Sequence, residues 1–122
     1  MRDKVNDKDR LDLMMEAISN IEEFITGINT LEAFSDDKLK RHAICYNLQC
    51  IGENCYKLSR EFIREHTGIN WKSIEGLRHV LVHDYYNVTT EILWNIITED
   101  LEPLKTNLLE IINTTTFPDS RR

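Results

Sequence analysis

The sequence predicts an all-α protein, an antiparallel up-and-down bundle of four helices with a kink in the last helix. Apolar residues recur at three- and four-residue spacing along most of the chain, no stretch alternates apolar and polar residues, and the connections are short. A chain of 122 residues, with 41% hydrophobic and 30% charged residues, is typical of one globular domain. We expect one unit over residues 1–122, with flexible ends at about 1–7 and 114–122.

The first helix is predicted to end near Gly27, because its apolar residues form a single buried stripe and glycine is common at helix ends. Asp7 or Asp9 is expected to cap its start. The stripe consists of Leu11, Met14, Met15, Ile18, Ile21, Ile25 and Ile28.

The second helix is predicted to begin at Ser35, whose hydroxyl can cap it, and to end before Thr67-Gly68-Ile69-Asn70. Gly52 lies inside this helix at a cost of about 1 kcal/mol relative to alanine, which indicates close approach by a neighbouring backbone. Its apolar residues form two rows, so the helix is either central to the bundle or also faces another subunit. The rows are Leu39, Ala43, Tyr46 and Cys50, and Ile44, Leu48, Ile51, Cys55, Leu58 and Phe62.

A third helix is predicted from Trp71 to about Asp84, and a fourth after a capping signal at 87–90. The apolar stripe of the fourth helix continues through Pro103. Because proline cannot donate a backbone hydrogen bond, this helix is expected to kink or split near Asp100 to Glu102.

The net charge of −6 argues against a protein that binds nucleic acid through a broad basic surface, so any such contact must be local. Basic side chains gather in three places, although most groups of this kind are solvated helix faces. These are Lys38-Leu39-Lys40-Arg41, Lys57 with Arg60 and Arg64, and Lys72 with Arg78.

The three cysteines recur every five residues, which on a helix turns each about 140° from the last, so they cannot converge on one metal. An odd, unclustered set of cysteines is typical of reduced cytosolic thiols. No apolar run has the length of a signal peptide core or a membrane span. We therefore expect a cytoplasmic protein.

The stretch from Arg78 to Tyr85 concentrates residues suited to phosphodiester chemistry. An arginine can clamp a phosphate with paired donors, and a histidine such as His83 titrates near neutrality. On a continuous helix Arg78 and Tyr85 share a face, whereas His83 lies about 140° from Arg78. A site that uses both therefore needs an unwound helix end or a second copy of the motif across a two-fold axis.

The order Arg78, four residues, His83, one residue and Tyr85 resembles the signature of HEPN-domain toxins of the HepT-like family. His79 fits the polar residue that commonly follows the arginine in that family. The resemblance extends from Leu11 to about Ile112. It includes Ile51-Gly52-Glu53, Trp71 with Ile74, Gly76-Leu77-Arg78, Leu93-Trp94, Asp100-Leu101 and Pro103-Leu104.

This resemblance implies a homodimeric, metal-independent ribonuclease that forms the toxin half of a toxin–antitoxin pair and needs no cofactor of its own. The partner would be an MNT-type nucleotidyltransferase that uses ATP to adenylylate Tyr85 and so silences the toxin. A phosphodiester added beside Arg78 would occupy the guanidinium and block the cleft.

In the expected reaction, the 2′-hydroxyl of the RNA substrate attacks the adjacent phosphate, with His83 as general base or acid. Arg78 holds the phosphate and stabilises the charge that develops on its oxygens. Three supporting residues are expected: His79 to position His83 or bind a neighbouring phosphate, Glu53 to orient a basic group, and Asp84.

Other interpretations stay open. Arg78 would otherwise form a helix-surface salt bridge to Glu75 or Asp84, and His79 with His83 resembles half of a zinc site that lacks a third ligand.

The competing function is a non-catalytic nucleotide-binding or adaptor module that docks a nucleotidyltransferase. The acidic balance favours it, because a ribonuclease with few basic contacts must bind RNA weakly or very selectively.

Overall fold

The computed structural model describes residues 6–79 and 90–117, and within these ranges the chain is helical and contains no strand. This confirms the predicted all-α, HEPN-like helical bundle. A 3₁₀ helix, Gly76–His79, and a π-helical segment, Ile96–Asp100, interrupt the α-helices. The α-helices of the described ranges are α1 (Asp7–Phe24), α2 (Leu31–Asp36), α3 (Lys38–Tyr56), α4 (Arg60–Glu65), α5 (Trp71–Glu75), α6 (Thr90–Asn95) and α7 (Leu101–Thr114).

The start of α1 differs from the prediction, because Asn6 caps it by accepting a hydrogen bond from the Asp9 amide at 2.9 Å. Asp7 and Asp9 lie in the first turn, where their negative carboxylates interact favourably with the positive end of the helix dipole and stabilise the helix. The Asp7 carboxylate also accepts hydrogen bonds from the amide and hydroxyl of Ser59, at 2.8 and 2.7 Å. The first turn of α1 is thereby fixed to the start of α4.

The end of α1 also comes earlier than the stripe suggests. Gly27 has a φ of +87°, a left-handed conformation that glycine adopts without strain. Ile25 and Ile28 therefore lie beyond the helix, although both still pack against the core. Apolar periodicity continued past the helix because these side chains remain partly buried.

The predicted second helix, from Ser35, corresponds to the end of α2, the whole of α3 and α4, and the start of α2 at Leu31 was not predicted. Ser35 lies within α2 and does not cap the long helix; Asp37 caps α3 by accepting a hydrogen bond from the Lys40 amide at 3.1 Å. Ser59 caps α4 by accepting one from the Phe62 amide at 3.1 Å. Hydroxyl and carboxylate side chains of this kind compete with helical hydrogen bonds, which explains both breaks.

Helix α3 is the central helix of the bundle, which is one of the two arrangements that its two apolar rows predicted. It runs antiparallel to α1, because Arg10 at the start of α1 donates to Asn54 near the end of α3 at 3.2 Å, and Asn20 donates to Asn47 at 3.0 Å. The fully buried side chains come mainly from these two helices. They are Leu11, Met14, Ile18, Ile21, Phe34, Ile44, Cys45, Leu48, Ile51, Leu93 and Leu108.

The predicted interruption of the last helix is confirmed. Regular α-helix ends at Asn95, a π-helical segment follows, and α7 begins at Leu101 with Pro103 in its first turn. Proline is tolerated there because the first amides of a helix have no intrahelical acceptor. Lys105 of α7 then pairs with Glu22 of α1 at 2.9 Å and fixes α7 to the bundle. Of the capping signal predicted at 87–90, residues 87–89 lie outside the described residues, and Thr90 is the first residue of α6.

Two predictions concerned membrane-spanning segments and flexible ends of the chain. None of the helices within 6–79 and 90–117 combines the length and the apolar character that crossing a membrane requires. The flexible ends stay a prediction, since residues 1–5 and 118–122 lie outside the described residues.

Candidate functional site

The described residues include the first part of the predicted site. Arg78 and His79 form the end of the 3₁₀ helix, and Glu53 lies on α3. His83, Asp84 and Tyr85 lie outside the described residues, as does the final part of the predicted third helix.

A change of helix type places Arg78. Asn70 caps α5 by accepting a hydrogen bond from the Ser73 amide at 3.1 Å, but α-helical geometry ends at Glu75. The chain then tightens into the 3₁₀ helix. The prediction of a single α-helix from Trp71 is therefore wrong at Gly76. The angle of about 140° between Arg78 and His83 assumed ideal α geometry, so it no longer applies.

The 3₁₀ helix lies against α3 at Gly52, which confirms the predicted close approach. A Cβ atom at Gly52 would overlap the backbone nitrogen of Arg78 and would lie 2.8 Å from the carbonyl carbon of Leu77. Glycine is therefore required for the backbone of Arg78 to reach this position. The same Gly52 contact brings Arg78 next to the last turn of α3.

The Arg78 side chain is held over an aromatic ring. Its guanidinium carbon lies 3.7 Å from the centroid of the Tyr56 ring, and its Nε donates a hydrogen bond to Nε2 of His79 at 3.3 Å. Stacking on an aromatic face is a favourable geometry for arginine. The Nε2 atom of His79 is the acceptor in this contact, so the two adjacent side chains hold each other in place.

The donor Nη1 of Arg78 is buried and has no hydrogen-bond partner among residues 6–79 and 90–117. Of the two salt bridges that the alternative interpretation offered, the one to Glu75 is not formed, and Asp84 lies outside the described residues. A buried donor without a partner costs roughly 1–3 kcal/mol. The guanidinium of Arg78 is therefore placed by stacking on Tyr56 and not by an ion pair within these ranges.

Tyr56 is the site residue that the sequence argument missed. It is exposed, with 55% of its surface accessible, and it lies one helical turn after Gly52 on the same side of α3. That spacing was the available signal, because a residue four positions from the Gly52 contact must lie beside whatever packs there. The role predicted for Glu53 stays a prediction, as its side chain forms no ion pair within the described residues.

Basic and acidic side chains surround the same turn of α3. Tyr56 lines a cavity of about 320 Å³, and the other lining residues are Cys55, Leu58, Arg60, Ile63, Arg64 and Glu75. Burial, assisted by the negative charge of Glu75, raises the pKa of the Cys55 thiol to about 12. The thiol donates a hydrogen bond to the carbonyl oxygen of Trp71 at 3.4 Å. Cys55 is therefore a protonated, structural residue at neutral pH.

Two further observations bear on binding. Within the described part of the chain, no three His, Cys, Asp or Glu side chains are placed so that they could hold a metal ion. The first apolar row of α3 is partly open to solvent, since Leu39 is 80% and Tyr46 is 60% exposed. Large apolar side chains exposed along one row are typical of a surface that contacts another protein.

Comparison with known proteins identifies the family. The ribonuclease HepT-like profile matches residues 14–111. "Probable ribonuclease HepT" of Thermococcus cleftensis is 36% identical over 84% of this chain and 92% of its own. A protein of Caldanaerobacter subterraneus subsp. tengcongensis is 33% identical over 74% of this chain and 80% of its own. A protein of Methanocaldococcus jannaschii is 30% identical over 75% of this chain and 84% of its own. Both have names that describe candidate RNases. No solved structure significantly matches the sequence. The chain belongs to the ribonuclease HepT-like family.

Proposed function

We propose that this protein is a metal-independent endoribonuclease, the toxin of a toxin–antitoxin pair. Membership of the ribonuclease HepT-like family supports the reaction class. The observation that carries the proposal is the placement of Arg78: its guanidinium is stacked on Tyr56, and its backbone lies against Gly52. A positioned guanidinium suits a phosphate oxygen, because it offers paired donors and a positive charge.

In the proposed reaction, Arg78 binds the phosphate that will be cleaved. The 2′-hydroxyl attacks the phosphorus atom, a 2′,3′-cyclic phosphate forms, and the 5′-oxygen of the next nucleotide leaves. His83 accepts the proton of the 2′-hydroxyl or donates one to the leaving oxygen. Since the Nε2 atom of His79 accepts a hydrogen bond from Arg78, His79 helps to orient the guanidinium.

The proposed active form is a homodimer. The exposed Leu39 and Tyr46 lie on one row of α3, and Glu53, seven residues after Tyr46, continues that row beside Gly52. A second copy covering this row would bring the two Arg78 regions towards each other across a two-fold axis. One His83 of the pair could then act as base and the other as acid.

Adenylylation of Tyr85 by an MNT-type nucleotidyltransferase is the proposed means of control, with ATP as the adenylyl donor. The transferred group carries a phosphodiester, which is the chemical group that Arg78 binds in the substrate. The modified tyrosine would therefore compete with RNA for the guanidinium.

Incubation of the purified protein with total cellular RNA, in the presence of a chelator, tests this function. The unmodified protein should cleave RNA, whereas Arg78→Lys and His83→Ala should lose on the order of 100-fold in rate. Arg78→Lys keeps the positive charge and loses the paired donors. Circular dichroism and sedimentation should show that the fold and the dimer are unchanged, so that the lower rate reflects the lost donors.

The opposite outcome identifies the competing function. If neither the protein nor the variants cleave RNA, yet the protein still binds the nucleotidyltransferase, the chain is an adaptor and the ribonuclease proposal is wrong. The exposed Lys38, at the far end of α3 from Gly52, provides a control variant, and Lys38→Gln should cleave at the normal rate.

A further inference from the structure

A basic cavity lies next to Arg78, and we call it the α4 cavity. Its volume is about 320 Å³, and Arg60 and Arg64 contribute its positive charge. Tyr56 is shared, because this residue lines the α4 cavity and its ring carries the Arg78 guanidinium, 3.7 Å from the ring centroid. A strand whose phosphate is bound by Arg78 therefore has the α4 cavity immediately beside it.

The two arginines are placed by a short, well-anchored helix. They are four residues apart on α4, so both project from the same side of that helix. Ser59 caps α4 and is hydrogen-bonded to Asp7, while Phe62 packs edge-on against Trp71 with ring centroids 5.8 Å apart. The backbone that carries the arginines is thus fixed at both the cap and the core.

The charges in the α4 cavity are not balanced. Arg60 and Arg64 are exposed, and neither side chain forms a hydrogen bond or ion pair with any residue in 6–79 or 90–117. Glu75 is the acidic residue that lines the cavity, so the lining carries an excess of one positive charge. This local excess of positive charge lies beside Arg78 in a protein whose net charge is −6, so it marks the α4 cavity as a place where an anion can bind. Lys57, which belongs to the same sequence cluster, does not line the cavity.

We propose that the α4 cavity binds the sugar–phosphate backbone of single-stranded RNA adjacent to the phosphate held by Arg78. This inference rests on the proposed ribonuclease function. Arg60 and Arg64 each bind a flanking phosphate, since a guanidinium matches a phosphate with two parallel donors. The exposed part of the Tyr56 ring contacts the intervening ribose or base. A short row of three arginines then allows an acidic protein to hold RNA.

Binding of a short 2′-O-methylated oligonucleotide, which cannot be cleaved, separates this inference from catalysis. The double variant Arg60→Gln, Arg64→Gln should bind at least about tenfold more weakly. The slope of log affinity against log salt concentration should fall in magnitude by about 1.4, or about 0.7 for each lost phosphate contact.

The control is Lys38→Gln, Lys40→Gln, which makes the same change in net charge at the opposite end of α3, about 27 Å along the helix from Tyr56. It should keep the affinity and salt slope of the unmodified protein. The inference is overturned if the arginine variant binds as tightly as the unmodified protein, if both double variants lose affinity equally, or if the unmodified protein does not bind the oligonucleotide.

Cleavage of unmodified RNA by the same preparations keeps the two proposals apart. If the unmodified protein cleaves RNA and the arginine variant binds normally, only the α4 cavity assignment fails. If the unmodified protein binds through Arg60 and Arg64 but cleaves nothing, the ribonuclease proposal fails and the RNA-binding assignment of the α4 cavity is supported.

Discussion

The guanidinium of Arg78 lies over the ring of Tyr56, 3.7 Å from its centroid, while the backbone of the same arginine contacts Gly52. Gly52 and Tyr56 are one helical turn apart on α3. A single turn of the central helix therefore fixes both the backbone and the side chain of Arg78. In the proposed reaction, Tyr56 positions the Arg78 guanidinium, in addition to its proposed contact with the RNA backbone.

Replacing Tyr56 tests that positioning. Tyr56→Ala should lower the rate constant for RNA cleavage by about 2- to 30-fold, which corresponds to a cation–π contact of roughly 0.5–2 kcal/mol. Tyr56→Phe keeps the aromatic face and should retain nearly the full rate. Steady-state cleavage of a defined RNA measures both variants, with kcat and KM determined separately. Equal losses in the two variants would assign the effect to the hydroxyl group and not to the ring.

Gly52→Ala should destabilise the protein, because the added Cβ overlaps the backbone nitrogen of Arg78 and neither backbone can easily move. Overpacking of this kind costs about 1–3 kcal/mol in the free energy of unfolding. Urea denaturation measures the change. Gly68→Ala is the matched control, since a Cβ at Gly68 meets nothing within 4 Å and should leave the stability nearly unchanged. Equal stability of the two variants would argue against the Gly52 contact.

The raised pKa of the Cys55 thiol predicts that the free energy of unfolding depends on pH in the alkaline range. Its pKa is about 12 in the folded protein, against an ordinary value of 9.0. Between these values the unfolded chain loses the thiol proton while the folded chain keeps it, so this contribution to stability is present below pH 9 and is lost as the pH rises towards 12.

The difference in the free energy of unfolding between the unmodified protein and Cys55→Val isolates this effect, because valine fills a similar volume and does not titrate. The difference should be constant from pH 7 to about pH 9 and should then change in favour of the valine variant. A constant difference up to pH 11 would show that Cys55 titrates as an ordinary, accessible thiol.

Tyr85→Phe tests the proposed control by adenylylation. The substitution removes the acceptor oxygen and keeps the ring, so the nucleotidyltransferase should no longer silence the protein. Intact-mass measurement after incubation with the partner and ATP should show no adenylyl increment on the variant. Tyr86→Phe is the control and should be modified normally. An unchanged increment on Tyr85→Phe would place the modification on another residue.

The fold followed from apolar spacing to a large extent, because buried stripes on α1, α3 and α7 are long enough to be read directly. The break at Ser59 was missed because Leu58 and Phe62 stay buried at helical spacing across it, so apolar periodicity continues where the helical hydrogen bonds stop. The end of α1 was placed too late for the same reason. The start of the long helix was predicted at Ser35, two residues before the observed cap Asp37, because both residue types are suitable caps.

The site was predictable to a different degree at each residue. Gly52 was predicted correctly as a point of close approach, since glycine inside a helix costs stability and so indicates a steric demand. Tyr56 was missed because a stacking partner depends on how the 3₁₀ helix crosses α3, and that geometry is tertiary. His83, Asp84 and Tyr85 stay predictions, as they lie outside the described residues.

The π-helical segment Ile96–Asp100 lets the C-terminal helix hold one residue more than regular α-helix would hold over the same turn. A π turn accommodates about one more residue than an α turn, so deleting one residue there would restore continuous α-helix and would keep the direction of the side chains that follow. Lys105 would still face Glu22, and Leu108 would stay in the bundle interior. A single-residue deletion between Asn95 and Leu101 should therefore be tolerated far better than a deletion within α7, where each residue removed rotates all that follows by about 100°.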